Sequence, residues 1–200
     1  PESVLGLHFF SPAHIMKLLE IVRGAKTAPA VLEAALALGQ RIGKVSVVAG
    51  NCDGFIGNRM LHTYVKEARM LLLEGALPAQ VDGALQQFGF AMGPFRMYDV
   101  VGIDLEWRAR ELAGEGQDGP AVHVDNRLCG LGRFGQKSGM GYYRYAPGSR
   151  EAQPDAEVNR LVEAVSAQLG FQRRAVSDAE IRARCLLALV NEGAKILEEN

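Results

Sequence analysis

A histidine and a glutamate in neighbouring apolar segments are the first residues of this chain whose types and spacing suit chemistry. His8 ends one apolar run at a Ser-Pro turn, and Glu20 lies twelve residues later inside the next run. A carboxylate buried in an apolar strand needs a partner. If His8 is that partner, the carboxylate fixes the imidazole tautomer and leaves the far ring nitrogen free to take a proton. The alternative is a structural histidine with a glutamate that reaches solvent at the strand edge, and the pattern alone does not choose between them.

The segment DGFIGNRML, at residues 53–61, is a glycine-flanked entry into a long helical pattern. Asn58 falls in the first turn of that helix. Because asparagine is a poor former of helix interiors, its amide is a candidate for a hydrogen-bonding role. Propensity alone favours a plain capping or turn role for Asp53 and Asn58, so both interpretations stay open at this point.

Composition and charge exclude several classes of protein. The net charge of -1 and the pI near 6.5 give no basic field for nucleic acid, and no run of about 18 apolar residues spans a bilayer. The cysteines lie far apart, with neither a C-x-x-C pair nor a histidine at ligand spacing. They predict reduced thiols in a cytosol-like compartment, with no disulfide framework and no metal site. These cysteines are Cys52, Cys129 and Cys185.

The elements that must position these residues change character near residue 50. Before it, the pattern predicts strands at 4–10, 18–22 and 44–49 and a helix at 28–43. That order is typical of the end of an α/β sheet, and three strands alone do not make a stable doubly wound domain. Since the chain also starts without Met or a signal sequence, we expect it to continue N-terminally.

From residue 51 onward helices are predicted, and the chain repeats part of itself. The helices are predicted at 56–75, 78–88, 93–105 and 155–169, with a loop at 114–120 and a linker at 146–155. An offset of 125 residues aligns several identical residues, which indicates either a duplicated helical domain or two amphipathic helices that match by chance. The aligned pairs include Arg59 with Arg184, Leu61 with Leu186, Val65 with Val190, Glu67 with Glu192 and Glu74 with Glu199.

The segment GLGRFG at residues 130–135 has the spacing of a dinucleotide fingerprint. Such a fingerprint needs a strand before it and a helix after it. Here a polar segment precedes and QKSGMG follows, which is too rich in glycine for a helix. We therefore predict that this segment binds no pyrophosphate.

Three ordered blocks together resemble the L-3-hydroxyacyl-CoA dehydrogenase family. They are HFFSPAHIMKLLEIV at 8–22, DGFIGNRML at 53–61 and GRFGQKSGMGYY at 132–143, and the SPAH wording is similar to the multifunctional fatty-acid β-oxidation enzymes. The resemblance implies the α/β end of a Rossmann-type NAD-binding domain, an all-α C-terminal dehydrogenase domain, and the start of a second helical copy. The implied boundaries are 1–50, 51–146, 147–176 for a linker and helix, and 177–200 for the degenerate copy.

The resemblance also implies roles for individual residues. His8 matches the catalytic base, Glu20 its paired carboxylate, and Asn58 the amide that meets the reacting part of the substrate. Ser11 stands where many single-function relatives have Asn, so we expect only a supporting role near the substrate. The implied cofactor is NAD, although no cofactor-binding residue can be identified in the chain. Arg59 is a candidate for CoA phosphates, with a solvated charge as the default.

The implied activity is NAD-dependent oxidation of L-3-hydroxyacyl-CoA to 3-oxoacyl-CoA in β-oxidation, with an acyl-CoA thioester as the substrate. The implied assembly is a homodimer or an intramolecular pseudo-dimer through the helical domain, in which Ala183 stands at the position of Asn58. Composition suggests a bacterial cytosol, with the peroxisome as the alternative. Other functions remain open: an inactive dimerisation or scaffold fragment, or a dehydrogenase of 3-hydroxybutyryl-CoA or free hydroxy acids.

Overall fold

The structure of the chain is a computed structural model that describes residues 1–114 and 119–199. These residues form two compact units. The first comprises residues 1–62 and 189–199, and the second comprises residues 63–114 and 119–188. Within these ranges, no helix has the combination of length and apolar character that a membrane crossing needs.

A three-stranded sheet and one helix form most of the first unit. β1 (Gly6–Phe9) pairs antiparallel with β2 (Leu18–Arg23), and β2 pairs in parallel with β3 (Val45–Gly50). Because parallel neighbours need a crossover connection, α1 (Pro29–Arg41) links β2 to β3. β2 is therefore the central strand, which accounts for the apolar residues on both sides of Glu20.

Both faces of β2 are buried. Leu19 and Ile21 lie on one face and pack with Ala35 of α1, and all three are buried. Helix and sheet approach so closely that a Cβ at Gly39 would collide with the Ser46 hydroxyl. Because side chains alternate along a strand, Glu20 points to the opposite face, where only 1% of it is exposed. The fold thus buries a carboxylate in the middle of the sheet.

Helices form the second unit, apart from one short pair of strands. The remaining elements are α2 (Gly57–Glu74), α3 (Pro78–Phe88), α4 (Pro94–Val101), α5 (Asp104–Ala113), α6 (His123–Gly130), β4 (Tyr143–Arg144), β5 (Gln153–Pro154), α7 (Ala156–Gln168) and α8 (Asp178–Glu198). β4 and β5 pair antiparallel, and α2 and α8 each have residues in both units.

Two buried aspartates organise the second unit around the GMGYY sequence. Asp99 on α4 accepts hydrogen bonds from the backbone N–H of Tyr142 (2.8 Å) and Tyr143 (2.9 Å) and from the Tyr145 hydroxyl (2.9 Å). Asp82 on α3 accepts from the N–H of Phe95 (3.0 Å) at the start of α4. Burial raises the pKa of each of these aspartates to about 6.

Most of the predicted elements are present, with bounds that shift by one or two residues at most ends. One predicted helix, 93–105, is wrong as a single element, because it ends at Val101 and a new helix begins at Asp104. Gly102 separates the two at a φ of 105°, a conformation that glycine adopts without strain. α5 extends beyond the prediction, and α6 was not predicted.

The segment predicted as a linker, 146–155, is only partly one. Its end forms β5, and Asp155 is buried, where its carboxylate accepts from the Arg133 guanidinium at 2.5 Å. A buried ion pair with a residue 22 positions earlier leaves no local trace in a polar, Pro-rich sequence. Of the predicted loop at 114–120, residues 115–118 lie outside the described residues.

Candidate active site

The pairing of β1 with β2 brings His8 and Glu20 together. The antiparallel register places His8 directly opposite Glu20. Residues opposite each other in an antiparallel pair point to the same face and lie close together. His8 Nδ1 lies 2.5 Å from Glu20 Oε2, so the pair that the sequence predicts is present.

The second oxygen of the Glu20 carboxylate holds the start of α2. Oε1 accepts hydrogen bonds from the backbone N–H of Ile56 at 3.0 Å and of Gly57 at 2.7 Å. Such N–H groups have no partner within the helix, and the helix dipole favours a negative charge beside them. A single buried carboxylate therefore orients the imidazole and anchors the first turn of α2.

Two phenylalanines flank the imidazole. The rings of Phe10 and Phe55 lie 4.7 Å and 5.4 Å from the His8 ring, both tilted. Phe55 has a φ of 48°, a left-handed conformation that costs a bulky residue on the order of 1–2 kcal/mol. This strained backbone conformation of Phe55 places its ring beside the His8 imidazole. The side chain of His8 is 28% exposed, so part of it is accessible to a reacting group.

Asn58 follows directly after the N–H groups that Glu20 holds. It lies in the first turn of α2 and is half-buried. Within the described part of the chain, no hydrogen bond involves its side-chain amide. Glu20 thus contacts His8 directly and also holds the two residues that precede Asn58.

Ser11 lies apart from these contacts. It follows β1 in an exposed bend, and among the described residues no hydrogen bond joins its hydroxyl to the His8–Glu20 pair. The structure therefore brings three of the four predicted site residues together by direct contact or sequence adjacency.

The arrangement is suited to proton transfer. With Nδ1–H donating to Glu20, the lone pair of Nε2 is available as a general base, and the carboxylate stabilises the imidazolium that forms. Among the described residues, no cluster of His, Cys, Asp and Glu has the geometry of a metal site.

The GLGRFG segment does not fit a dinucleotide. It begins at the last residue of α6 instead of after a strand, and a short 3₁₀ turn, Gln136–Ser138, follows it. A pyrophosphate cradle needs a strand, a glycine turn and a helix N-terminus in that order. None of the described residues is assigned to a cofactor.

Two family models match the chain. The model of the 3-hydroxyacyl-CoA dehydrogenase NAD binding domain matches residues 1–52, and that of the C-terminal domain matches residues 54–145. The chain belongs to the 3-hydroxyacyl-CoA dehydrogenase family. The matches confirm the predicted family and the α/β-then-helical fold class. The family is one of NAD-dependent oxidoreductases, and the model matched by residues 1–52 is that of its NAD binding domain, in agreement with the predicted enzyme class and cofactor.

Relatives of this family cover the chain throughout its length. It is 47% identical over 213 residues to the peroxisomal bifunctional enzyme of Danio rerio and 41% identical over 215 residues to the human one. The chain spans 30% of the length of each of these relatives. It also resembles the crystal structure of the dehydrogenase part of multifunctional enzyme 1 from C. elegans, with a TM-score of 0.76 and 30% identity, covering 100% of this chain and 45% of that one.

In this member of the family, sequence reasoning missed three features of the site. The N–H groups of Ile56 and Gly57 are partners of Glu20 that no pattern reveals, because they lie 36 and 37 residues away. The aromatic faces on His8 had a weak signal, since Phe10 and Phe55 stand in the same blocks as the chemical residues. The left-handed backbone at Phe55 had none.

One interpretation of the 3-hydroxyacyl-CoA dehydrogenase sequence needs correction. Arg59 was a candidate for CoA phosphates or a solvated charge, yet its guanidinium is bound by carboxylates. Its Nε lies 2.6 Å from Glu192 Oε1, and its Nη atoms lie 2.5 Å and 2.8 Å from the Glu199 oxygens. Glu192 belongs to α8 and Glu199 directly follows its last residue, and no local pattern connects either of them with Arg59.

Proposed function

We propose that this chain supplies the proton-transfer site of an NAD-dependent L-3-hydroxyacyl-CoA dehydrogenase that oxidises its substrate to 3-oxoacyl-CoA. The observation that carries the proposal is the pair of His8 and the buried Glu20, anchored at the start of α2. Family membership supports the reaction class. The names of the relatives, peroxisomal bifunctional enzymes, support β-oxidation as its setting and the peroxisome as its compartment.

In the oxidation, His8 Nε2 accepts the proton of the substrate 3-hydroxyl. The O–H bond breaks, and its electron pair forms the carbonyl bond between the oxygen and C3. The hydrogen on C3 leaves with both electrons of the C3–H bond, as a hydride. NAD, when bound, supplies the hydride acceptor. The Glu20 carboxylate stabilises the imidazolium that His8 becomes, and in the reverse direction the same Nε2–H returns the proton.

Asn58 and Ser11 have different parts in this proposal. The free amide of Asn58 donates a hydrogen bond to an oxygen of the reacting part of the thioester, which orients it toward His8. Ser11 supports the substrate side from the exposed bend. The CoA thioester is the proposed partner, and pairing of two helical copies, within or between chains, is the proposed assembly.

The test is acetoacetyl-CoA-dependent oxidation of NADH by the intact protein and its variants. We expect His8→Ala to lower kcat by roughly 10²–10⁴-fold, because general acid–base catalysis contributes that much. Glu20→Gln should cost less than His8→Ala and more than Ser11→Ala. A free 3-oxo acid offered in place of the thioester separates this function from that of a hydroxy-acid dehydrogenase.

The possible results lead to different conclusions. His8→Ala at the wild-type rate would mean that His8 is structural. An intact wild-type protein that neither binds NADH nor turns over would support the scaffold function instead. Greater sensitivity at Ser11 than at Glu20 would overturn the division of roles.

A further inference from the structure

The residue after Asn58 is held by the last described helix. The Arg59 guanidinium uses Nε on Glu192 and both Nη atoms on Glu199, with distances between 2.5 Å and 2.8 Å. Glu192 is buried at 8% exposure, whereas the Glu199 side chain is 56% exposed. Hydrogen bonds from Arg59 hold the pKa values of both carboxyls below their ordinary range. Arg59 is thus fixed by three charge-assisted hydrogen bonds in a fork geometry.

α8 also approaches the first turn of α2 closely. A Cβ placed on Gly193, beside Glu192, would lie 3.2 Å from Met60 Cε. That separation is tighter than an ordinary van der Waals contact, so the lack of a side chain at Gly193 lets Met60 pack there. Two consecutive residues of α8 therefore contact the two residues that follow Asn58.

The same contacts occur again with the two sequence copies exchanged. In the second unit, Arg184 donates to Glu67 at 3.0 Å and to Glu74 at 2.6 Å. The offset of 125 residues that relates the copies converts Arg59, Glu192 and Glu199 into their counterparts in the other copy. Thr63 and Ala188, also 125 residues apart, contact each other directly. A chance match of two amphipathic helices does not account for reciprocal ion pairs, so these contacts support a duplication.

The two arginines differ in the residue that precedes them in the sequence. Arg59 follows Asn58, whose amide is free among the described residues, whereas Arg184 follows Ala183, which has only a methyl group. Glu20 already fixes the turn before Asn58 through Ile56 and Gly57. Glu192 of α8 and Glu199, which directly follows α8, hold Arg59 in the turn after it. Asn58 is therefore clamped from both directions along the chain.

We propose that Glu192, assisted by Glu199, is a positioning residue for Asn58 and acts through Arg59. The degenerate copy contributes this contact although it lacks a counterpart of the amide. The inference rests on the proposed function insofar as it concerns catalysis.

The experiment compares Glu192→Gln with Glu67→Gln in the intact protein. Glu67 is the counterpart of Glu192 and makes the same kind of ion pair with Arg184, at the end that has no amide. We expect Glu192→Gln to lower kcat by roughly three- to tenfold with little change in KM, because a small displacement of a positioning group is costly. Glu67→Gln should stay within about twofold of wild type. Equal effects of the two variants would overturn the proposal.

Repeating the Glu192→Gln substitution in the Asn58→Ala protein distinguishes a positioning effect on Asn58 from general destabilisation. If Glu192 acts through Asn58, then Glu192→Gln should have no further effect on kcat in the Asn58→Ala protein. An equal loss in both backgrounds would show that Glu192 acts independently of the amide, and the proposal would be wrong. Glu199→Gln, at a more exposed site, should give a smaller loss than Glu192→Gln.

Hydrogen exchange of the backbone amides tests the role of Glu192 independently of the dehydrogenase activity assay. We expect the amides of residues 56–60 to exchange at least threefold faster in Glu192→Gln and at the wild-type rate in Glu67→Gln. Unchanged exchange in Glu192→Gln would overturn the clamp whatever the assay gives. If His8→Ala kept full activity, the proposed function would fail, while exchange would still decide whether α8 holds this turn.

Discussion

At the scale of single residues, Glu20 connects His8 with the start of α2, two parts of the site that lie in separate segments of the sequence. One oxygen binds His8 and the other binds the first N–H groups of α2, at distances of 2.5–3.0 Å. A buried carboxylate with both oxygens hydrogen-bonded is stable, whereas the same group left unpaired would cost several kcal/mol. The orientation of His8 and the position of Asn58 are therefore set by one side chain.

Gly57→Ala tests how tightly this site is packed. A Cβ at Gly57 would lie 2.8 Å from Phe10 Cζ and 3.5 Å from Glu20 Oε1, so Phe10 must move away from the His8 ring. We expect kcat to fall by roughly tenfold in the dehydrogenase assay. Gly83→Ala on α3 is the matched control, because nothing lies within 4 Å of its Cβ and alanine favours the helix. A Gly57→Ala enzyme as active as Gly83→Ala would mean that the aromatic contact is not required.

The sequence suggests the His8–Glu20 pair, because a lone carboxylate in an apolar strand needs a partner, but its pattern leaves a structural histidine equally open. The Arg59–Glu192 pair had no such signal. Its members lie 133 residues apart on helices whose surfaces carry many charges, so any of several carboxylates was an equally good partner. Local chemistry predicts contacts within a hairpin, and only the folded chain reveals contacts between distant helices.

At the scale of elements, the pattern of a helix is readable where one face is buried, as in α2 and α3. Sequence patterns fail to predict an element boundary where a single glycine ends the helix. Gly102 ends α4 at a φ of 105°, and a Cβ there would lie 2.9 Å from Lys137 Nζ and 3.0 Å from Asp104 Oδ1. The apolar spacing continues across the break, so periodicity alone predicts one helix where there are two.

Asp99→Asn should loosen the second unit, because Asp99 is the common acceptor for three donors from residues 142–145. An amide offers one oxygen in place of two and directs an NH₂ group at a donor. We expect the opening free energy of amides in α4 to fall by about 1–3 kcal/mol, measured by hydrogen exchange on the intact protein. Glu163→Gln, at an exposed position of α7, is the control. Equal protection in both variants would show that the Asp99 hydrogen bonds contribute nothing net.

At the scale of the whole chain, overall charge does not dominate its response to pH. There are 22 basic and 23 acidic side chains, so long-range repulsion near neutrality is small. The pH dependence then follows individual groups whose pKa values differ between folded and unfolded states. These groups fall into two sets with opposite signs.

The buried aspartates form the first set. Burial raises the pKa of Asp82 and Asp99 from 3.8 to about 6, so their contribution to stability is fully present below 3.8 and is lost as the pH rises through about 6. Glu74 belongs to the second set, because hydrogen bonds from Arg184 lower its pKa below 4.5. Its contribution is present above 4.5 and is lost as the pH falls through the lowered value.

The two signs together predict that the stability of the second unit declines as the pH rises from 4.5 through about 6, because Glu74 already contributes fully there while the two aspartates lose their contribution. We expect the opening free energy of α4 amides, corrected for intrinsic exchange, to be higher at pH 5.5 than at pH 7.5 by about 1–2 kcal/mol. Asp99→Asn should show a smaller difference, since its side chain has the same charge at both values, whereas Glu163→Gln should keep the full difference. An opening free energy that is equal at the two pH values, or higher at pH 7.5, would mean that these aspartates keep ordinary pKa values because their hydrogen bonds outweigh burial.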